Sequence, residues 1–285
     1  MIPTFIIFLR EGIEASLIVS ILLTYLDKVN ARQYFRDVIT GVVAALVLSA
    51  AAGTLIFITI HNYSGTLLQT TFETVTFFIA SVAMTYMTFW MYQHGSQMSS
   101  ILKAKTEYSL QKKKRLGMIA IAFQAVARES LEAMVFTLAV MFTGSENGVL
   151  VGGTGGIIAS LLMAFFIYRM GKKINIAKLF RVVGVMLIMF SAGLLSDAVQ
   201  NLQQLGWLPV LSEQVWNVSA FLSPKSSLGA LAHMFLGYTD RPSAFQLFVY
   251  MAYLSVIAVF LFASSSKHGR QNTAAATHTA TATQL

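Results

Sequence analysis

Seven apolar stretches of about twenty residues recur along the whole chain, and no other feature constrains its fold as strongly. Each is long enough to cross a bilayer as a helix, and helices satisfy every backbone hydrogen bond within lipid. The sequence therefore predicts an all-α membrane protein with a single transmembrane domain over about residues 1–263. The predicted spans cover about 2–26, 38–60, 72–92, 117–142, 149–168, 182–200 and 245–263.

The basic residues are distributed unevenly between the two sides of these spans. Most of the 20 lysines and arginines fall in alternate loops and the C-terminal tail, at about 27–37, 103–115, 169–181 and 264–285. The positive-inside rule places that side in the cytoplasm, so the N-terminus is predicted outside and the C-terminus inside. Residues 201–244 are then an outer loop, and the Thr- and Ala-rich residues 264–285 are predicted to form a disordered cytoplasmic tail.

Composition excludes several classes of function. The net charge of +8 does not indicate nucleic-acid binding, because the basic residues lie in loops between apolar stretches. The run KKKR at 112–115 is interpreted as positive-inside bias rather than as a dedicated site for anionic lipid. The absence of cysteine excludes disulfides and thiolate metal sites, and five scattered histidines argue against a haem or His-rich site. GGTGG at 152–156 lacks the lysine and serine of a P-loop, so ATP is not the expected driving force.

One charged motif occurs twice in the middle of predicted spans. REGIEA at 10–15, in the first span, returns as RESLEA at 128–133, in the fourth. Because an odd number of spans separates the two copies, their helices run in opposite directions. This arrangement is typical of an inverted repeat, which brings both motifs together near the bilayer midplane. The sequence therefore predicts two repeats, at about 2–92 and 117–200, with the seventh span as an addition.

Charges in the middle of a membrane helix are unfavourable, at about 2.5–3.5 kcal/mol each. They are therefore expected to face the interior of the helix bundle, where they can be paired or hydrated. Arg10 with Glu14 and Arg128 with Glu132 are i,i+4 pairs that can stabilise the bundle as simple ion pairs. Glu11 and Glu129 are left over, and this excess of buried negative charge favours a functional interpretation. Four carboxylates suit a hard cation, and their spacing alone indicates either such a cation or a proton pathway.

Two further acids are candidates for a cation pathway. Glu73 lies at the outer start of the third span, where it either receives a cation or simply favours the helix dipole. Asp197 lies near the outer end of the sixth span, where water is within reach. A helically spaced methionine series suits copper(I) in principle, but packing is the favoured interpretation. The series comprises Met84, Met87, Met91 and Met98.

The doubled Arg-Glu-X-X-Glu motif in a seven-span protein resembles the oxidase-dependent iron permease family. The likeness extends to FWM at 89–91, SAGLLSDA at 191–198 and LGY at 236–238, and it covers nearly the whole chain. It implies a multi-pass transporter of the cytoplasmic membrane rather than an enzyme. Such a transporter imports ferric iron with high affinity, as its substrate and without a cofactor, after Fe(II) is oxidised at the outer face.

The resemblance also implies a division of roles among residues. The metal ligands would be Glu11, Glu14, Glu129 and Glu132, with Arg10 and Arg128 as supporting ion pairs. Extracytoplasmic partners of the EfeO and EfeB type, an iron-binding protein and a haem peroxidase, would supply the oxidised metal. His233 departs from the family pattern, in which some members carry an acid.

Two alternative functions remain open from the sequence. A transporter of divalent metals such as Mn²⁺ or Pb²⁺ would use the same carboxylates. A membrane-embedded di-iron oxidase would usually carry Glu-x-x-His on two helices, whereas both copies here have Glu-x-x-Glu.

Overall fold

The structure, a computed structural model, describes residues 1–63, 65–94, 98–111, 115–143, 146–170, 176–219, 228–229, 232–233 and 237–260. These residues are almost entirely helical, and one isolated antiparallel bridge joins Gln214 to Ser243. The first seven α-helices are α1 (Ile2–Lys28), α2 (Phe35–His61), α3 (Leu67–His94), α4 (Met98–Gln111), α5 (Arg115–Thr143), α6 (Glu146–Met170) and α7 (Ile176–Gln204). A shorter apolar helix, α8, occupies Ala244–Phe260. The predicted tail at 264–285 lies outside the described residues, as does part of the predicted outer loop.

The all-helical prediction is confirmed for the described residues, and a helix occupies the described part of each predicted span, the seventh as far as Phe260. Four helical segments are long and apolar enough to cross a membrane by length and composition. They are Arg32–Ile60, Leu67–Trp90, Gly148–Phe165 and Val182–Gln204. The two motif helices, α1 and α5, are not among these four, and each carries three charged motif residues in its middle. The apolar helices therefore point to a membrane protein.

The helix α4 was not predicted from the sequence. It is short, and it is too polar to register as an apolar stretch. One face nevertheless carries Leu102, Thr106 and Leu110 at intervals of four residues, and Leu102 and Thr106 are buried. Leu102 belongs to an apolar cluster with Leu22 of α1 and Met118 of α5. This helix is thus held against the ends of the two motif helices.

Helices α1 and α6 lie side by side and run in the same direction. A Cβ atom at Gly152, early in α6, would lie 2.1 Å from the carbonyl oxygen of Met1. Further along both helices, a Cβ atom at Gly12 would lie 2.3 Å from the Ser160 hydroxyl oxygen. Small residues permit this close approach, as they do between helices in membranes generally.

Helices α2 and α5 form a second pair. They also run parallel to each other and are also in close contact through small residues. A Cβ atom at Gly41 would lie 2.4 Å from the carbonyl oxygen of Ile119, and the hydroxyls of Ser49 and Ser130 are 2.9 Å apart. These contacts correspond to those between α1 and α6 when α1 is matched to α5 and α2 to α6. Between α1 and α5 the matched residues are 118 positions apart in the sequence: Met1 with Ile119, and Gly12 with Ser130. Between α2 and α6 they are 111 positions apart: Gly41 with Gly152, and Ser49 with Ser160.

Helices α3 and α7 cross each other through a reciprocal contact. The Ser81 hydroxyl donates to the carbonyl of Ser191 at 3.0 Å, and the Ser191 hydroxyl donates to the carbonyl of Ser81 at 2.8 Å. The Tyr253 hydroxyl, from α8, lies 2.6 Å from that of Thr85 and so ties α8 to this crossing. Helices α3 and α7 thus make the same bond to each other. A two-fold axis between two helices produces such a reciprocal contact.

We expect adjacent glycines of α6 to respond very differently to alanine. In Gly156→Ala the new Cβ would lie 2.6 Å from the carbonyl oxygen of Phe5, so α1 and α6 must separate. Overpacking of this kind typically destabilises by about 1–3 kcal/mol. In Gly155→Ala the nearest atom is a ring carbon of Phe5 at 3.5 Å, an ordinary contact. Thermal melting in detergent should be lowered by the first substitution and unchanged by the second, and equal melting would contradict this packing.

Candidate metal centre

Three motif carboxylates converge where α1 meets α5. Glu11 and Glu14 project from one face of α1 because residues three apart lie on the same side of a helix. Glu129 approaches them from α5, and one oxygen from each of the three lies within 4.8 Å of the others. All three residues are buried. The fourth predicted ligand, Glu132, lies outside this group and its side chain is 20% exposed.

Each motif arginine is paired with glutamate. The Arg10 Nε atom lies 3.0 Å from Glu14, and one of its terminal nitrogens lies 3.3 Å from Glu11. In the second copy, Arg128 Nε donates to Glu132 at 3.0 Å. The i,i+4 pairs expected from the sequence are therefore formed, and Arg10 additionally contacts its neighbour. Arginine thereby orients one or both glutamates of its own motif.

Each of the four glutamates nevertheless has an oxygen without a hydrogen-bond donor among the described residues. For Glu14 this oxygen is close to Arg10, but it is not aligned for a hydrogen bond. A buried acceptor without a donor is unfavourable by about 1–3 kcal/mol, and by more when it is charged. Three of these four residues converge, and buried carboxylates that retain oxygens without donors are a suitable site for a hard cation. The atoms concerned are Oε2 of Glu11, Oε1 of Glu14, Oε2 of Glu129 and Oε2 of Glu132.

The two copies of the motif differ in their surroundings. The Arg10 side chain is 3% exposed, whereas that of Arg128 is 36% exposed. The Arg128 guanidinium lies over the indole ring of Trp90, 4.4 Å from the ring centroid. The family likeness includes FWM at 89–91, but the sequence did not place Trp90 at the site, since it lies in α3 and far along the chain from either motif.

A second polar group lies where α7 meets the residues that follow it. His233 Nε2 is 3.7 Å from an Asp197 oxygen, and His233 Nδ1 is 2.8 Å from the carbonyl oxygen of Tyr238. Because a carbonyl only accepts, Nδ1 must carry the hydrogen of that bond. The other ring nitrogen therefore faces the carboxylate. Gly193 and Gly237 come together here, and a Cβ atom at Gly237, where φ is +61°, would lie 2.7 Å from the Gly193 Cα atom.

The remaining sequence candidates are placed elsewhere. Glu73 accepts a hydrogen bond from Gln69 at 2.7 Å and is not among the three clustered glutamates. Met84 and Met87 are buried, and Met84 belongs to an apolar cluster, as the packing interpretation expects. The side chains of Met91 and Met98 lie outside the described residues.

Comparison with known proteins identifies similar chains over nearly the whole length. The family described as "Iron permease FTR1 family" matches residues 1–269. "Ferrous iron permease EfeU" of Yersinia pestis is 31% identical over 264 residues, which cover 92% of this chain and 93% of that protein. The protein of the same name from Escherichia coli O157:H7 is 29% identical over 271 residues, covering 94% and 98%. No solved structure matches the chain.

Proposed function

Because the chain belongs to the iron permease FTR1 family, we propose that it imports iron across the cytoplasmic membrane through its motif glutamates. The observation that carries this proposal is the convergence of three buried carboxylates within 4.8 Å. Glu132 is the fourth ligand and joins them when its side chain turns away from Arg128. With both arginines charged, the four ionised carboxylates leave a net negative charge, which an entering cation neutralises.

The proposed path of iron across the membrane is built on seven spans, with the N-terminus outside. Helices that alternate in direction would make α1 parallel to α6, α2 parallel to α5, and α3 antiparallel to α7. The contacts of Gly12 with Ser160, and of Ser49 with Ser130, fit the first two pairs. The helix α4 then lies at the cytoplasmic face rather than across the bilayer. The matched contacts of the two halves support an inverted repeat of α1–α3 and α5–α7, with α8 added.

Cysteine labelling tests this orientation, because the chain contains no cysteine of its own. Lys105→Cys places a thiol on an exposed position of α4, and Glu213→Cys places one on an exposed position after α7. A membrane-impermeant maleimide should label the second in intact cells and the first only after permeabilisation. The reverse pattern would overturn the orientation.

We further propose that iron moves as Fe(III). A set of carboxylate oxygens is hard and anionic, which favours a small trivalent ion. The curated relatives are named ferrous iron permeases, and that name fits a system in which Fe(II) is the form supplied and oxidation precedes transport. Partners of the EfeO and EfeB type would carry out that oxidation at the outer face.

Uptake of radioactive iron into proteoliposomes tests both the metal and its valence. The reconstituted permease should take up chelated Fe(III), whereas Fe(II) kept reduced should enter only after an oxidant is added. Mn²⁺ and Pb²⁺ in excess should compete weakly. Uptake of Mn²⁺ or Pb²⁺ at comparable rates would favour a divalent-metal transporter, and sustained consumption of O₂ with Fe(II) by the isolated protein would favour an oxidase.

The pair of Asp197 and His233 is proposed as a station on the outer path. An oxygen and a nitrogen 3.7 Å apart can both bind one cation at typical ligand distances of about 2.0–2.2 Å. Glu73, at the outer start of α3, is a weaker candidate because Gln69 already donates to it.

We expect Asp197→Asn to raise the iron concentration that gives half-maximal uptake by about tenfold, in line with the loss of a residue that supports metal binding. The maximal rate should change less, because the motif glutamates remain. Glu213→Gln, which removes an exposed acid after α7, is the matched control and should behave as the unsubstituted protein. Equal effects of the two substitutions would show that Asp197 acts only through its negative charge and does not bind the metal.

A further inference from the structure

The two motif arginines have glutamates at the same sequence spacing but different partners in space. Arg10 is almost fully enclosed and contacts two carboxylates of its own helix. Arg128 contacts one carboxylate and lies against the face of Trp90. An aromatic face attracts a guanidinium by about 0.5–2 kcal/mol, and more when both are shielded from water. Arg128 therefore has a second partner, of a different kind from its glutamate.

This difference matters for Glu132, whose Oε1 atom is bonded to Arg128. A carboxylate that turns toward a cation loses at least part of its bond to the arginine beside it. For Arg10, such a change would leave a charge 3% exposed with fewer partners, which is costly. For Arg128, the indole ring and partial exposure both remain available. Exchange of glutamate between arginine and metal is therefore easier in the second motif than in the first.

We propose that Arg128 is the exchangeable counter-ion of the metal site and that Trp90 is the positioning residue that retains it. When the metal binds, Glu132 leaves Arg128 and completes the site, while the guanidinium stays on the indole ring. When the metal leaves, Arg128 recaptures Glu132. Arg10 keeps its glutamates throughout as the fixed counter-ion. This inference rests on the proposed function, since it assumes that the motif glutamates bind the transported metal.

The exposure of Arg128 also indicates on which side of the membrane this exchange takes place. A charged guanidinium in contact with lipid at mid-membrane would be unfavourable, so the exposed part of Arg128 faces water. Trp90 lies near the end of α3, four residues before that helix ends at His94. In the proposed orientation that end is cytoplasmic. Arg128 and Trp90 therefore stand between the carboxylates and the cytoplasm, where the metal is released.

Tryptophan fluorescence provides a direct test. The chain contains three tryptophans, and Trp207→Phe with Trp216→Phe leaves Trp90 as the single emitter. Gallium(III), supplied as its citrate complex, serves as a trivalent ion that neither changes valence nor absorbs the emission. Its binding to the purified protein is measured separately by equilibrium dialysis. The guanidinium on the indole ring loses its carboxylate partner when the metal binds, so the charge beside the ring changes. We therefore expect the emission of Trp90 to change in proportion to the gallium bound.

Two glutamate variants in this background separate the exchange from binding itself. Glu14→Gln removes a ligand of the first motif but leaves Arg128 with Glu132, so the emission change should persist at a higher gallium concentration. Glu132→Gln removes the partner that is exchanged, so gallium that still binds should leave the emission unchanged. An unchanged emission in the single-tryptophan protein at saturating gallium would overturn the inference. An equal response of the two glutamate variants would also overturn it. Absence of gallium and iron binding in the unsubstituted protein would instead remove the proposed function and this inference with it.

Uptake measurements add a readout that a packing role for Trp90 would not give. In Trp90→Leu the guanidinium loses its alternative partner and competes more strongly for Glu132. The iron concentration for half-maximal uptake should therefore rise about fivefold, a factor within the range of a cation–π contact. Trp90→Phe keeps an aromatic face and should restore most of the affinity. Phe89→Leu removes the neighbouring ring, which packs on Phe260, and is the matched control. An equal rise in Trp90→Leu and Phe89→Leu would show that only packing is affected.

Discussion

Glu11→Gln and Glu129→Gln should each abolish iron uptake while the protein still inserts into the membrane. Both residues are buried, one in each motif, and their oxygens belong to the converging group. Glutamine keeps the size of the side chain but removes the negative charge that binds a hard cation. Loss of residues that merely support metal ligands typically reduces affinity or activity 10–100-fold, so loss of a ligand should reduce uptake by more than about a hundredfold.

The control for this experiment is Glu107→Gln, which removes a negative charge from an exposed position of α4. Uptake per inserted molecule should be unchanged in that variant. Membrane levels of all three variants can be measured by immunoblot of washed membranes. Normal uptake by either motif variant at equal membrane level would show that the metal does not pass through these carboxylates.

Arg10→Ala should destabilise the protein more than any other substitution in the motifs. Arg10 is buried and is the partner of both Glu11 and Glu14, so its removal leaves two carboxylates without a positive charge of their own motif. Breaking a buried ion pair by removing one partner typically costs about 3–5 kcal/mol. Arg10→Lys should be intermediate, because an ammonium group keeps the charge but lacks the planar fork that reaches two carboxylates.

The matched substitution in the second motif is Arg128→Ala. Arg128 is more exposed and, within the part of the chain that the structure describes, pairs with a single carboxylate, so its loss should lower the melting temperature in detergent much less than the loss of Arg10. Equal melting of the two alanine variants would contradict the difference between the motifs. Equal melting of Arg10→Ala and the unsubstituted protein would contradict the pairing itself.

Most of the helical fold could be predicted because long apolar stretches have few other stable structures in lipid. The prediction missed α4, whose buried stripe is too short and too polar to stand out beside the spans. Helix ends also extend beyond the predicted limits, since apolar composition marks the hydrocarbon core and not the whole helix. The start of α2, at Phe35, is an example: Arg36 and Asp37 are helical but polar.

The candidate site was predictable in its acids and not in their arrangement. Repetition of the motif indicates which glutamates matter, because six charged residues in mid-span need a common explanation. Two copies of the same Arg-Glu-X-X-Glu pattern cannot indicate that Arg10 is enclosed while Arg128 lies on Trp90, since that difference comes from the helices packed around them. The approach of His233 to Asp197 depends likewise on the close contact of Gly193 with Gly237, which sequence spacing does not predict.

The pairing of α1 with α6 and of α2 with α5 has a consequence for how the protein is made. Each pair takes one helix from the first half of the chain and one from the second, so the most extensive packing of these helices is between the halves rather than within them. During synthesis, α1 must remain in the membrane with its charged motif unsheltered until the second half has been inserted. Biogenesis of this permease therefore depends on late assembly. Machinery that protects polar helices in the bilayer would be needed most while α2–α4 are being synthesised.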